Sequence, residues 1–93
     1  MVADTPKVKS SKKLSEVKKG DMVKVDGLTL EVDAHVILID HGDTKEMALE
    51  LFNPKNEDEF QLRYFSDQPE TSLRFLKLNE IVYDPVEIAK VEW

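Results

Sequence analysis

Histidine and aspartate side chains, which suit proton transfer and metal binding, are concentrated between residues 33 and 43 of this sequence. They are Asp33, His35, Asp40, His41 and Asp43. Carboxylates and imidazoles together can hold a divalent metal, but their spacing here matches no known ligand signature. A strand over this segment would separate the two imidazole rings by roughly 20 Å of extended chain. We therefore expect no metal site, and we interpret His41, beside Gly42, as a turn residue.

The sequence offers little for covalent or phosphate chemistry. It contains no cysteine, and so it has no thiolate nucleophile, thiolate zinc site or disulfide framework. The acidic run 57–59 lacks the glycine and the oxygen-ligand spacing of a calcium loop. The three glycines occur singly, so no loop is expected to cradle a phosphate. We expect a non-catalytic protein without a cofactor.

Positive charge is concentrated at the N-terminus. Residues 1–20 contain six lysines and two acidic residues, a balance of +4, whereas residues 21–93 contain seven basic and seventeen acidic residues, a balance of −10. The lysines are Lys7, Lys9, Lys12, Lys13, Lys18 and Lys19. Residues 1–13 have too few apolar side chains to offset an ordering entropy of about 1–2 kcal/mol per residue. We therefore predict a disordered basic arm that solubilises the chain, contacts nucleic acid or lies against the acidic body.

Alternating apolar and polar residues predict a β-hairpin over residues 18–33. The two-residue Asp26-Gly27 loop fits a type I′ turn, in which both residues adopt positive φ. This turn places Val25 opposite Leu28 and keeps the apolar side chains on one face.

The opening of this hairpin, Lys18 to Gly27, reads K-K-G-D-M-V-K-V-D-G. It resembles the K-x-G-D-x-V-x-V-x-G opening of SH3-like barrel domains, and the resemblance covers residues 18–33. Such openings occur in translation-factor, ribosomal and chromatin-reader barrels. The resemblance implies a small barrel that binds something, but it transfers no functional residue. The acidic body departs from the basic barrels usual among ribosomal and transcription-factor relatives.

A second hairpin is predicted by the alternation in residues 46–52 and 60–65. Its register should place Leu51 opposite Phe60, with Glu50 opposite Gln61 on the other face. That outer face combines charged and aromatic side chains, as a binding surface for a basic peptide would. The predicted protein-binding residues are Glu46, Glu50, Phe52, Gln61, Arg63 and Phe65.

The remaining segments complete a small all-β fold. A long strand from Leu28 toward Asp40 should bend. Val86 to Trp93 should form a final edge strand or a short extended segment, with Trp93 docked. We predict an antiparallel SH3-like barrel of about five to seven short strands, with at most one helical turn. The arm covers residues 1–13, and a single domain covers residues 14–93.

These features predict a protein-binding or adaptor module in the cytoplasm. The favoured partner is another protein or a basic peptide, and an exposed sheet edge leaves homodimerisation open. The alternative is a nucleic-acid-associated protein in which the six lysines hold phosphates and Arg63, Phe65 or Arg74 meets bases. The longest apolar run, 36–39, is too short to cross a membrane, and no secretory signal is recognisable.

Overall fold

The computed structural model describes residues 6–93 and shows one mixed β-sheet. Its elements are β1 (Lys7–Lys9), a 3-10 turn (Leu14–Glu16), β2 (Met22–Val25), β3 (Leu28–Asp40), β4 (Lys45–Phe52), β5 (Glu59–Phe65), β6 (Arg74–Asn79), β7 (Val82–Val86) and β8 (Lys90–Glu92). The strand order is β1-β8-β2-β3-β4-β5-β6-β7. Within residues 6–93, no helix is long or apolar enough to cross a membrane.

The all-β class and the single helical turn are confirmed for the described residues, but an SH3-like barrel is not. The sheet is open, because no pairing joins its edge strands β1 and β7. It has eight strands instead of five to seven, and β1 pairs with β8 in parallel. The alternating pattern therefore predicted an all-β fold correctly. It did not predict which strands lie at the edges of the sheet, or that the sheet is open.

The first hairpin has the predicted register and turn. Val25 lies opposite Leu28, and Asp26 and Gly27 have φ values of 49° and 86°, as a type I′ turn requires. The Asp26 carboxylate also accepts hydrogen bonds from the backbone N–H groups of Ala89 and Lys90, at 3.0 and 2.8 Å. The turn residue therefore fixes the start of β8 beside β2.

The long strand β3 pairs with both β2 and β4 and so connects two parts of the sheet. Its first residues pair with β2, and residues from Glu31 onward pair with β4. Register shifts occur between Val32 and Ala34 and between Ile37 and Ile39. Such irregularities increase the local bend and twist of a strand, so β3 can serve both halves of the fold.

The second hairpin, β4–β5, has the predicted register on both faces. Leu51 pairs with Phe60, and Glu50 pairs with Gln61.

The strands after β5 are arranged differently from the predicted ones. Pro85 lies within β7, which is an edge strand and so tolerates the missing N–H donor. The predicted final edge strand is instead an interior strand, β8, between β1 and β2.

The core face of the sheet surrounds one apolar cluster. Leu14 and Val17 cover one side of it, at and just after the 3-10 turn. The buried members are Leu14, Val17, Val23, Val25, Leu30, Val32, Leu49, Leu51, Phe60, Leu62, Tyr64, Leu73, Phe75, Val91 and Trp93. Trp93 is buried, as predicted, and its indole N–H donates to the Lys12 carbonyl at 2.8 Å.

The prediction of a disordered arm over residues 1–13 is wrong for Lys7–Lys9, which form β1; residues 1–5 of that arm lie outside the described part. The Lys7 N–H donates to the Ala89 carbonyl, and backbone hydrogen bonds join Trp93 to Lys9 and Ser11. Val8 also packs against the core cluster. These contacts come from the distant C-terminus, so the local composition could not predict them.

Removal of the Trp93 ring tests whether this docking holds the fold together. Trp93→Ala should lower the free energy of unfolding by about 3–5 kcal/mol, the usual cost of deleting a buried aromatic ring. Trp93→Phe should cost less, because it keeps apolar bulk and loses mainly the indole hydrogen bond. Urea unfolding followed by circular dichroism measures both.

Ile81→Ala is the matched control, since Ile81 is 92% exposed and its truncation should change stability by at most about 0.5 kcal/mol. Equal stability of Trp93→Ala and Ile81→Ala would contradict a docked C-terminus.

Candidate functional site

A cavity of about 520 Å³ opens at the end of the β4–β5 hairpin that carries its connecting loop. Side chains from β3, β4, β5, β7 and this loop line it. The cavity therefore combines three consecutive strands with β7, which lies two strands from β5 in the sheet.

Asn53 shapes the loop over this cavity. Its backbone carbonyl accepts hydrogen bonds from the N–H groups of Asn56 and Glu57, at 3.3 and 2.7 Å. Its side-chain oxygen accepts the Lys55 N–H at 2.9 Å, and its own N–H donates to the Asp58 carbonyl. Asn53 is itself buried. A buried asparagine, bonded through its backbone and its side-chain oxygen, thus fixes where Lys55 and Glu57 border the cavity.

Acidic side chains dominate the charge of the lining. Asp33, Glu50, Glu57 and Glu59 line the cavity, and Lys55 is the one basic residue among the lining residues. Carboxylates gathered in a concave surface focus a negative potential. The cavity is therefore suited to a cationic group.

Aromatic rings supply the apolar part of the lining, from Phe52, Phe60 and Tyr83. Phe60 is held in place by stacking on Phe75, with ring centroids 5.2 Å apart. The protein's own cations already approach two of these rings. The Arg63 guanidinium carbon lies 5.9 Å from the Tyr83 ring centroid, and the Lys77 ammonium lies 6.0 Å from that of Phe60. Both distances lie within the range of cation–π attraction.

A chain of polar contacts crosses three strands beside the cavity. The Gln61 amide donates to the Glu50 carboxylate at 3.3 Å, and the Arg63 Nε–H donates to the Gln61 side-chain oxygen at 2.8 Å. Arg63 then lies over Tyr83. Because Gln61 is buried, these contacts hold the Glu50 carboxylate in a defined orientation.

The pKa of the Tyr83 phenol is shifted by the side chains around the cavity. Burial raises the pKa of Tyr83, and the carboxylates of Glu50 and Glu59 raise that pKa further, while the Arg63 guanidinium opposes the shift. The phenol thus keeps its proton at neutral pH. Tyr83 consequently offers the cavity an uncharged ring beside ionised carboxylates.

The structure divides the six predicted protein-binding residues into groups. Glu50 and Phe52 line the cavity, and Gln61 and Arg63 are linked to it by hydrogen bonds. Glu46 and Phe65 pair at the other end of the hairpin, where the Glu46 carboxylate lies 2.6 Å from Arg74.

Phe52 and Phe65 are both half-buried. Asp33, Tyr83 and the β4–β5 loop also line the cavity, and the sequence did not predict a role for them there. Local sequence patterns do not predict the order of the strands, in which β6 alone separates β7 from β5.

Two of the six lysines predicted to hold nucleic acid lie against acidic side chains of the same protein. The Lys12 ammonium is 2.6 Å from the Asp21 carboxylate, and this hydrogen bond lowers the pKa of Asp21. The Lys9 ammonium is 4.0 Å from Glu92. Side chains at the four other positions are exposed, namely Lys7, Lys13, Lys18 and Lys19.

His35 has two hydrogen-bond partners. Its Nδ1 lies 2.7 Å from the Val17 carbonyl, which can only accept, so Nδ1 carries a proton. Its Nε2 lies 2.6 Å from the Tyr64 hydroxyl, and in the neutral ring this nitrogen accepts. Burial raises the pKa of Tyr64 to about 12. Across residues 6–93, no group of three or more histidine or acidic side chains is placed to hold a metal.

Comparison with known proteins gives no relative for this chain: no family model, no curated protein and no solved structure matches it. The similarity to SH3-like barrels thus stays one of local sequence over residues 18–33.

The ionisation of Tyr83 tests this geometry. Glu50→Gln should lower the pKa of Tyr83 toward its ordinary value, because one nearby negative charge is removed. Arg63→Gln should raise it, because the opposing positive charge is removed. Tyrosine ring-carbon NMR during a pH titration separates Tyr83 from Tyr64.

Asp43→Asn is the control for a general charge effect, because Asp43 lies in the exposed β3–β4 loop. If all three variants titrate like the wild type, the contacts assigned to Tyr83 are incorrect.

Proposed function

We propose that this chain is a non-catalytic binding module that takes a basic segment of another protein, with one lysine or arginine side chain in the acidic cavity. The observation that supports this proposal is the combination of four carboxylates and three aromatic rings around one cavity. The carboxylates attract the charged head, and the rings contact its alkyl stem and its cationic end.

The size of the cavity is compatible with such a side chain. Ligand pockets commonly enclose about 300–1,000 Å³, and this one has a volume of about 520 Å³. Lys55 borders the cavity from its loop and is exposed. An incoming cation would have to displace this side chain, which is free to move away because it is exposed.

The outer face of β4 and β5 offers a path for the rest of the segment. From Phe52 the strand leads back to Glu46, a length of roughly 20 Å at the usual rise per residue. Phe65 pairs with Glu46 at that end. An extended segment of about six residues would thus reach from the cavity to Phe65 and to Glu46, whose carboxylate it would share with Arg74.

Nucleic-acid association through the lysines is the competing proposal, and four exposed lysines support it. The pairing of Lys9 and Lys12 with Glu92 and Asp21 counts against it. The acidic cavity would also repel phosphate. These observations favour the peptide partner, and the experiment below distinguishes the two.

The probe is an acetylated, amidated seven-residue peptide of serine and threonine with lysine at positions 2 and 5, titrated into the ¹⁵N-labelled protein. We expect amide shifts in the β4–β5 loop and at Tyr83. Phe52→Ala should weaken binding about fivefold to tenfold, or roughly 1–1.4 kcal/mol, since it removes one aromatic wall.

Asp43→Asn should bind like the wild type, because Asp43 lies outside the cavity. A peptide with norleucine in place of both lysines should bind at least tenfold more weakly. Equal binding of the two peptides would overturn the proposal. Shifts confined to the lysines, produced by a single-stranded and duplex nucleic-acid pool at physiological salt, would support the competing proposal.

A further inference from the structure

A second cavity, of about 400 Å³, lies between the 3-10 turn, the start of β4 and the loop after β5. It shares no lining residue with the acidic cavity. Its apolar surface comes from Leu14, Met47, Tyr64 and Pro69. An apolar recess of this size next to the core cluster is a place where an apolar ligand can be shielded from water.

The polar groups at this cavity have opposite character to those of the first one. Lys13 and Lys45 line it, with Glu70 as the one acidic residue. No ion pair joins either ammonium to a carboxylate within the described part of the chain. The cavity therefore carries a net positive charge, which favours an anionic group at its opening.

Two of the three hydroxyl groups in the lining, those of Tyr64 and Ser66, are already engaged by the protein. The Tyr64 hydroxyl is bonded to His35 at 2.6 Å, and the Ser66 hydroxyl accepts the Lys45 backbone N–H at 2.8 Å. A ligand rich in hydroxyl or amide groups would find few free partners here, and its own polar groups would lose hydration without replacement. An apolar body with a single charged end avoids that cost.

The apolar surface also extends beyond the cavity. Ile37 pairs with Met47 across β3 and β4, so their side chains share the core face of the sheet. Ile37 is 53% exposed. An elongated ligand could continue from Met47 over Ile37, whereas a compact one would leave this side chain in water.

We propose that this cavity binds a free aliphatic monocarboxylate, with the chain on Met47 and Ile37 and the carboxylate between Lys13 and Lys45. This proposal is independent of the peptide site, because it rests on other residues. The ligand class follows from the apolar lining and the two lysines.

Decanoate, kept below its micelle concentration, is the probe, and NMR of ¹³C-labelled methionine methyl groups is the measurement. We expect saturable shifts of the Met47 methyl group, with little change at Met22 on β2. Decanol, which lacks the charge, should bind at least fivefold more weakly, and decyltrimethylammonium more weakly again. These comparisons use the wild-type protein and do not depend on whether a variant folds.

Lys45→Gln should weaken decanoate binding at least fivefold, and Lys24→Gln on β2 should not change it. The proposal is overturned if decanol binds as well as decanoate, or if the Met47 methyl group does not move. It is also overturned if Lys45→Gln and a second variant, Lys13→Gln, both bind like the wild type while retaining the wild-type amide spectrum.

Discussion

The long strand β3 holds the two parts of the sheet together. It pairs with β2 through its first residues and with β4 through the others. Its two register shifts allow one sheet to surround a single apolar cluster without closing into a barrel. The same strand carries Asp33 at the acidic cavity and Ile37 beside the apolar one. A change in its register would therefore disturb the core and both candidate sites together.

The two cavities have opposite charge and lie at opposite ends of the β4–β5 hairpin. At the loop end of β4–β5, carboxylates and aromatic rings surround the opening. At the other end of this hairpin, apolar side chains and two lysines line the second cavity. Like charges gathered within one site raise its potential and cost some stability. Gln61 and Arg63 offset part of that cost beside Glu50, through hydrogen bonds that also fix its position.

Local patterns in the sequence predicted most of the strand pairing and less of the site. The Asp26-Gly27 turn and the Leu51–Phe60 register followed from period-two alternation and turn chemistry. The strand β1 could not be predicted in this way, because it is held by contacts with β8 and Trp93, about eighty residues away in sequence. Glu50 and Phe52 were predicted from the outer face of one hairpin. Tyr83 was missed because its place in the cavity depends on the order of β5, β6 and β7.

The acidic aromatic cavity is proposed to recognise a cationic side chain. A double-mutant cycle measures this recognition by combining Glu50→Gln in the protein with norleucine for both lysines in the seven-residue peptide. Calorimetry gives the four dissociation constants. We predict a coupling energy of about 1 kcal/mol or more, as expected for charges in direct contact. Strictly additive effects, with no coupling between Glu50 and either lysine, would contradict the claim.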